Sequence, residues 1–245
     1  MQIDLKKVNL QGFLEHKTLY YDKIDFTVVK SSWQILSKKI KLPFVIHIVG
    51  TNGKGSTGRF LSHYLCKKNY QVLHYSSPHI LKFNERIWIN GSDVSDADLE
   101  IAHRFLQDLY EIELLEKLTY FEYTTLLAIY LSKDFDYLVL EAGLGGEFDA
   151  TNVVENNISL ITTIGLDHQN FLGNSVEEIA STKMRSVDNK MIVGYQVFDE
   201  VIKTAYEVKK QILEQRDRNI EIIEVKDFDK YPINEKFASY LKRNL

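Results

Sequence analysis

The chain has 245 residues, of which 44% are hydrophobic and 26% are charged, and its net charge at neutral pH is −4. These values are typical of a soluble globular protein with one large α/β domain or two small domains, and they exclude the strong basic field that favours nucleic acid. The net charge therefore gives no reason to expect a nucleic-acid partner. Because no apolar stretch approaches the roughly 20 residues of a membrane helix, we also expect no membrane partner.

The cysteine content and the N-terminal residues indicate a cellular location and not a chemistry. Cys66 is the only cysteine, so no internal disulfide can form, and residues 1–7 have no signal-peptide pattern. Because such a chain suits a reducing compartment, we expect a cytoplasmic protein. Residues 1–40 are predicted to form helices and loops that pack on the domain ahead of its first sheet strand.

The first predicted strand, residues 45–49, runs into a glycine-rich loop that precedes a helical pattern. This order creates an anion site, because glycine lets backbone N–H groups approach phosphate and the helix start adds the positive end of its dipole. Lys54 can reach the outer phosphates of a nucleotide, and a hydroxyl of Ser56 or Thr57 can face an accompanying Mg²⁺. The loop is a variant of the G-x-x-x-x-G-K-[ST] form, in which Ile48 would be glycine. Its predicted nucleotide-binding residues are Gly50, Thr51, Asn52, Gly53, Lys54, Gly55, Ser56 and Thr57.

Three further predicted strands also end in polar residues. These residues are Ser77 after strand 71–75, Glu141 after strand 137–140, and Asp167 with His168 after strand 158–162. Ligands of open parallel sheets bind outside the carboxyl ends of the strands, so four such ends on one edge predict a phosphate and metal site. With strands at 191–193 and 220–224, the apolar runs predict an α/β fold, a mostly parallel sheet flanked by helices on both faces.

Each of these polar residues also has a plainer interpretation. Glu141 could hold Mg²⁺ or be satisfied by nearby N–H groups, and the glycines that follow it favour the metal. His168 could be a hydrogen-bonded loop residue, although its place at a strand end favours a site role. Ser77 could be a metal ligand or a turn former. Arg86 could clamp a carboxylate or pair with Glu85 at the surface.

The helical patterns between the strands are readable from caps and periodicity. Ser95 and Ser175 are predicted helix caps, each with an acidic residue three positions later, and residues 124–131 are apolar nearly all round. That last helix is therefore predicted to be deeply buried. Lys183 continues the apolar face of its helix. Its ammonium either extends to water or stays buried with a lowered pKa that would let it carry chemistry.

Seven short motifs, taken in order, resemble the folylpolyglutamate synthase/dihydrofolate synthase family of the Mur ligase superfamily, over about residues 13–183. They are GTNGKGS at 50–56, SPH at 77–79, FNERI at 83–87, FE with a threonine at 121–125, EAGLGG at 141–146, DATN at 149–152 and GLDH at 165–168. The second and third motifs point to the folate branch rather than to cell-wall ligases. The resemblance implies a P-loop NTPase-like fold, that of a Mur ligase central domain.

The resemblance also implies a reaction, in which ATP phosphorylates a pteroate or folate carboxylate and the amine of L-glutamate attacks the acyl phosphate. By motif position the glycine-rich loop would bind ATP, Ser77 and Glu141 would hold one Mg²⁺, and His168 would serve a second Mg²⁺. The implied catalytic residues are Lys54, His168 and Lys183, the last matching a family lysine that is carbamylated by CO₂. The residues implied to bind the pteroate or folate are Ser77, Pro78, His79, Phe83 and Arg86.

The chain departs from the family pattern at two places. Met184, Arg185 and Ser186 follow the lysine where relatives usually read Ala-Gly-Ile, and Glu147 stands where an arginine is common. The first departure puts a second cation beside the lysine and argues against its carbamylation.

The expected domain division is an N-terminal segment at 1–40, an ATP-binding domain at 41–230 and the start of a linker at 231–245. Family members carry a further C-terminal α/β domain, so we expect a truncated or incomplete chain, a monomer that does not form the amide bond alone. Two alternatives stay open. One is a nucleotide-dependent binding or switch module without ligase activity. The other is a Mur-type ligase of a cell-wall precursor, although only about 40 residues precede the glycine-rich loop.

Overall fold

A computed structural model describes residues 5–18 and 25–226. This part of the chain forms nine α-helices around one eight-stranded sheet. The helices are α1 (Leu10–Glu15), α2 (Phe26–Leu36), α3 (Lys54–Lys67), α4 (Asp96–Leu109), α5 (Ile112–Lys117), α6 (Tyr120–Leu131), α7 (Gln169–Leu172), α8 (Val176–Met184) and α9 (Asp199–Arg216). The strands are β1 (Phe44–Val49), β2 (Val72–Tyr75), β3 (Ile87–Ile89), β4 (Ser92–Asp93), β5 (Tyr137–Glu141), β6 (Ile158–Ile161), β7 (Lys190–Val193) and β8 (Glu221–Glu224).

The sheet is mostly parallel, as predicted. Its strand order is β4-β3-β2-β5-β1-β6-β7-β8, and every pair from β2 to β8 runs parallel. Strands β2 and β5 and most of β1 are buried, which explains their continuous apolar sequences.

The antiparallel edge formed by β3 and β4 is absent from the sequence prediction. Asn90 and Gly91 connect the two strands, and both have positive φ, 47° and 118°. Asn-Gly with left-handed backbone is the favoured two-residue hairpin turn. The sequence therefore held a signal for this hairpin, in a segment read only as part of a ligand-binding motif.

Helices cover both faces of the sheet, which confirms the predicted layering. Successive strand residues point to opposite faces. Ile46 and Ile48 of β1 pack in one cluster with Leu65 of α3. Val45 packs on the other face with residues of α1, α2, α4 and α6, and Val49 joins a cluster that contains α8 and α9.

The two N-terminal helices belong to the main hydrophobic cluster. The side chains of Asn9 and Asp25 cap α1 and α2, and Phe13, Val29 and Leu36 are buried among residues of α4 and α6. The domain boundary at residue 40 stays a prediction, and residues 231–245 lie outside the described residues.

Helix caps agree with the sequence more closely than helix lengths do. Ser95 and Ser175 cap α4 and α8 as predicted, but the Glu178 carboxylate accepts from the backbone N–H of Asn174, so no reciprocal capping box is made with Ser175. Helix α6 is buried as predicted, yet it begins four residues before residue 124, where Thr119 and Glu122 form a capping box. Within the described ranges, every helix falls short of the length and apolarity that a bilayer crossing requires.

Candidate nucleotide and metal site

The parallel pairing of β2, β5, β1 and β6 brings the ends of four predicted strands to one rim of the sheet. The glycine-rich loop follows β1, Ser77 follows β2, Glu141 ends β5, and residues 165–168 follow β6. The sequence argument from strand ends therefore describes a real edge, and side-chain contacts at that edge decide what it can bind.

The glycine-rich loop is held by the segment after β6. The backbone N–H groups of Thr51 and Asn52 donate to the carbonyl of Thr163, at 3.0 and 3.1 Å. Gly50 has φ 151°, and a Cβ at this position would lie 2.0 Å from the hydroxyl of Thr162, so only glycine fits. Gly53 has φ 84° and directly precedes α3, whose first-turn N–H groups are thereby presented at the rim.

Lys54 opens α3 and lies over this loop. Its Nζ donates to the Gly50 carbonyl at 3.2 Å. Burial raises the pKa of Glu141 and lowers that of Lys183, and the positive charge of Lys54 opposes the first shift and adds to the second. The Lys54 ammonium therefore influences both Glu141, a predicted ligand of the first Mg²⁺, and Lys183, the lysine predicted near the second.

Glu141 contacts both the glycine-rich segment and the segment after β2. Its Oε2 accepts from the N–H of Ser77 at 3.3 Å, and a Cβ on Gly55 would lie 3.2 Å from the same oxygen. Burial raises the pKa of Glu141 from 4.5 to about 7, and the charges of Lys54 and Arg59 and the Ser77 N–H oppose that rise. A carboxylate this costly to ionise without a partner is suited to a cation.

A cavity of about 410 Å³ opens beside Glu141. Its lining residues are Gly55, Ser56, Arg59, Phe60, Ser76, Ser77, Pro78, Ile80, Glu85 and Glu141. Sequence reasoning missed Arg59, whose guanidinium lies 5.1 Å from the Trp88 ring centroid. Its position four residues after Gly55, on the same helix face, was the available signal.

The oxygen atoms around this cavity fit Mg²⁺. The described residues contain no group of three or more His, Cys, Asp or Glu side chains that could hold a metal alone. Mg²⁺ does not need one, because it is usually bound by one or two carboxylates together with phosphate oxygens and water. Glu141 supplies the carboxylate, and Ser56 and Ser77 line the same cavity with hydroxyls. The Thr57 hydroxyl is buried without a hydrogen-bond partner in the structure.

Lys183 is buried, with 3% of its surface exposed. The interpretation in which its ammonium extends to water is therefore wrong. Burial and the charge of Lys54 lower the pKa of Lys183 from 10.5 to about 8, against the opposing charges of Asp167 and Asp149. This is the second interpretation drawn from the sequence, a lysine with a substantial neutral fraction near neutral pH.

Asp149, which carried no role in the sequence analysis beyond its motif, organises the loop after β5. Its buried carboxylate accepts from the N–H of Leu144 at 2.7 Å and from the hydroxyl of Thr151 at 2.6 Å. The Thr151 hydroxyl in turn contacts Nε2 of the buried His47 at 2.8 Å. Asp149 thus joins the central strand to the glycine turn, and its charge acts on Lys183.

His168 stands at the opposite, more open end of the rim. It has φ 46°, a left-handed conformation that is uncommon outside glycine, and 55% of its side chain is exposed. Its Nε2 lies 3.5 Å from Asp167, the carboxylate that acts on Lys183. The structure therefore groups Ser56, Ser77 and Glu141 around one cavity, and Lys54 acts on Glu141 through its charge. His168 is related to them through Asp167, whose charge, like that of Lys54, acts on Lys183.

Three predicted substrate-binding residues form one aromatic and cationic cluster. The Arg86 Nε donates to Nδ1 of His79 at 2.8 Å, and its guanidinium lies 5.2 Å from the Tyr120 ring centroid. The Phe83 ring packs edge-on against both His79 and Tyr120. The other two predicted substrate-binding residues, Ser77 and Pro78, line the cavity beside Glu141.

Glu85 shapes this segment instead of pairing with Arg86. Its carboxylate accepts from the backbone N–H groups of Ile80, Leu81 and Lys82, at 2.7, 2.9 and 2.8 Å. These hydrogen bonds lower the pKa of Glu85. The ion pairs of the described residues include none between Glu85 and Arg86, so the surface-pair alternative for Arg86 is wrong.

Replacing Glu85 with alanine is expected to release the backbone of the 80–82 segment. Amide hydrogen exchange at Ile80, Leu81 and Lys82 should accelerate by about tenfold or more, because three N–H groups lose their acceptor. Glu113→Ala, at an exposed position of α5, is the matched control. Unchanged exchange at all three amides in Glu85→Ala would show that the carboxylate does not hold the segment.

Known proteins similar to this chain include several dihydrofolate synthases and folylpolyglutamate synthases. No family model matches the chain. The dihydrofolate synthase/folylpolyglutamate synthase of Haemophilus influenzae is 41% identical over 157 residues, which cover 63% of this chain and 35% of that protein. The chain thus spans about a third of that relative's length, and its sequence resemblance to this family is confirmed.

Solved structures agree in fold. Helicobacter pylori folylpolyglutamate synthetase has a TM-score of 0.76 and 40% identity, over 89% of this chain and 53% of the solved chain. A bifunctional folylpolyglutamate synthase/dihydrofolate synthase with manganese, AMPPNP and L-glutamate bound has a TM-score of 0.73 and 29% identity, over 91% of this chain and 53% of that one.

Proposed function

We propose that this chain provides the ATP-binding part of an ATP-dependent amide ligase that joins L-glutamate to dihydropteroate or folate through an acyl phosphate. The observation that carries the proposal is the position of Glu141 beside one cavity, where its Oε2 accepts from the Ser77 N–H and would lie 3.2 Å from a Cβ on Gly55. The similarity to folylpolyglutamate synthases, one of them with an ATP analogue, manganese and L-glutamate bound, supports the substrates.

The glycine-rich loop and the start of α3 would bind the triphosphate. The N–H groups of the first helical turn present positive partial charge, and Lys54 would exchange the Gly50 carbonyl for the outer phosphates. Glu141, Ser56 and Ser77 would hold Mg²⁺ by their oxygen atoms. The bound metal would neutralise charge on the β- and γ-phosphates, the main requirement of phosphoryl transfer.

A second Mg²⁺ would be served by His168 and by a carbamylated Lys183 near the acyl phosphate. A carbamate forms from the neutral amine, and a pKa of about 8 leaves part of the Lys183 population neutral at pH 7 to 8. The sequence argument against this modification was the neighbouring cation of Arg185. That cation is paired with Glu147 and hydrogen-bonded to Ser181, so it does not compete at the amine.

The cluster of His79, Phe83, Arg86 and Tyr120 would bind the pteroate or folate. Its rings offer stacking surfaces for a pterin, and the Arg86 guanidinium would attract the substrate carboxylate. This cluster and the cavity beside Glu141 both arise from the segment after β2, which would bring a carboxylate near the bound triphosphate.

Calorimetric titration tests the proposal against its rivals. The protein is titrated with Mg²⁺·AMPPNP, and then separately with dihydropteroate, folate and a UDP-linked muropeptide. We expect nucleotide binding that depends on Mg²⁺, together with binding of dihydropteroate or folate. Binding of nucleotide alone would favour a switch module, binding of the muropeptide would favour a cell-wall ligase, and binding of no nucleotide would refute all three.

A further inference from the structure

Glu147 and Arg185, two of the residues that depart from the expected family pattern, contact each other. Arg185 Nε lies 2.5 Å from Glu147 Oε2, and the two side chains are 28% and 21% exposed. The residues stand 38 positions apart, one after the glycine turn that follows β5 and the other at the end of α8. Neither sequence position alone indicates the partner.

We propose that this ion pair, the Glu147/Arg185 clip, is a positioning device that holds Lys183 against the glycine turn and thereby fixes it in the candidate site. A partly buried, charge-assisted arginine–carboxylate contact is stronger than an exposed pair. It links the loop that carries Asp149 to the helix that carries Lys183. The proposal concerns placement of the lysine, and only its relevance to catalysis rests on the proposed function.

Backbone contacts show that the glycine turn packs tightly on the end of α8, and we call this contact of Gly146 and Glu147 with Thr182 and Lys183 the joint. The N–H of Glu147 donates to the Thr182 carbonyl at 3.1 Å. A Cβ on Gly146 would lie 2.4 Å from the carbonyl oxygen of Lys183 and 2.8 Å from its Cα. The glycine turn thus packs directly on the Lys183 backbone, and any loosening of this joint moves the lysine.

The guanidinium of Arg185 is directed to the clip and not to the site. Its Nη1 donates to the Ser181 hydroxyl at 2.7 Å, while Nε donates to Glu147. The charged groups that act on the Lys183 amine are Lys54, Asp167 and Asp149. Arg185 therefore acts on Lys183 only through the position of α8, which makes it a positioning residue.

The test measures access to the Lys183 amine. Glu147→Gln, Arg185→Met and the double variant are treated with acetic anhydride, and acetylation of Lys183 is measured by mass spectrometry relative to the exposed Lys210. Because Lys183 is almost wholly buried, reagent reaches it only when the joint opens. We expect each single variant to raise the ratio about tenfold, and the double variant to raise it no further, because both changes break one contact.

Controls separate positioning from general destabilisation. Glu155→Gln breaks an exposed ion pair with Arg218 and should leave the ratio unchanged. Acetylation of Lys17, which is buried under α1 and α5, reports global unfolding. The proposal fails if the single variants stay within twofold of the parent, if their effects multiply in the double variant, or if Lys17 labelling rises in parallel. Absence of nucleotide binding by the parent protein would refute the proposed function and leave this result intact.

Discussion

Replacing Lys54 with methionine is expected to weaken binding of Mg²⁺·AMPPNP by about 100-fold or more while leaving the protein folded. Methionine keeps most of the side-chain length and a good helix propensity at the start of α3. Among the described residues, the hydrogen bonds of the ammonium go to the carbonyls of Gly50 and Thr51 in the loop, so we expect little stability to depend on them. The charge that faces the phosphates is lost, and the affinity falls accordingly.

Calorimetry on Lys54→Met, with thermal unfolding measured alongside, checks this prediction. Lys67→Met is the matched control, because Lys67 is an exposed lysine in the last turn of the same helix. This variant should bind nucleotide as tightly as the parent protein does. An affinity within fivefold of the parent in a folded Lys54→Met protein would mean that the glycine-rich loop does not bind the triphosphate in the way described.

The central parallel strands β1, β2 and β5 could be predicted from sequence because nearly all of their residues are buried, on both faces of the sheet. Their apolar runs leave little ambiguity, and β1, β2, β5 and β6 fall within one residue of the predicted bounds. The edge hairpin of β3 and β4 could not be found from apolar runs, since β3 has three residues and β4 two. Turn chemistry at Asn90 and Gly91 carried that information instead.

Because the parallel pairing of the strands could be predicted, the residues at the strand ends could be placed on one edge of the sheet. Contacts between loops that are distant in sequence could not be predicted in this way. The closeness of Glu141 to Ser77 follows from the parallel pairing of β2 and β5. Helix periodicity placed Lys183 on the apolar face of α8 but left open whether its ammonium is buried, because the glycine turn that packs on its backbone lies 37 positions earlier. Likewise, Glu147 and Arg185 are two unrelated departures from the family pattern in the sequence, and only the fold shows that they form an ion pair.

Replacing Glu141 with glutamine is expected to stabilise the ligand-free protein at pH 8 and to abolish the Mg²⁺ dependence of nucleotide binding. The pKa of Glu141 is raised from 4.5 to about 7, so the folded state binds this proton more tightly than the unfolded state. Stability contributed by the protonated carboxyl is present below pH 4.5 and is lost as the pH rises to about 7. At about 1.4 kcal/mol per pKa unit, the ionised carboxylate costs about 3 kcal/mol above that pH.

Glutamine has the same shape and no charge, so Glu141→Gln should gain about 2 to 3 kcal/mol of unfolding free energy at pH 8 and close to none at pH 4. Urea unfolding at the two pH values, with nucleotide titrations in Mg²⁺ and in EDTA, gives both readouts. Glu207→Gln, at an exposed position of α9, should change neither. If Glu141 were only structural, its replacement would leave the Mg²⁺ dependence of nucleotide binding unchanged. A gain in stability together with loss of the Mg²⁺ dependence therefore identifies Glu141 as a metal ligand. A variant that is destabilised at pH 8, or that still binds nucleotide at least tenfold more tightly with Mg²⁺, would contradict the assignment of Glu141 to the metal.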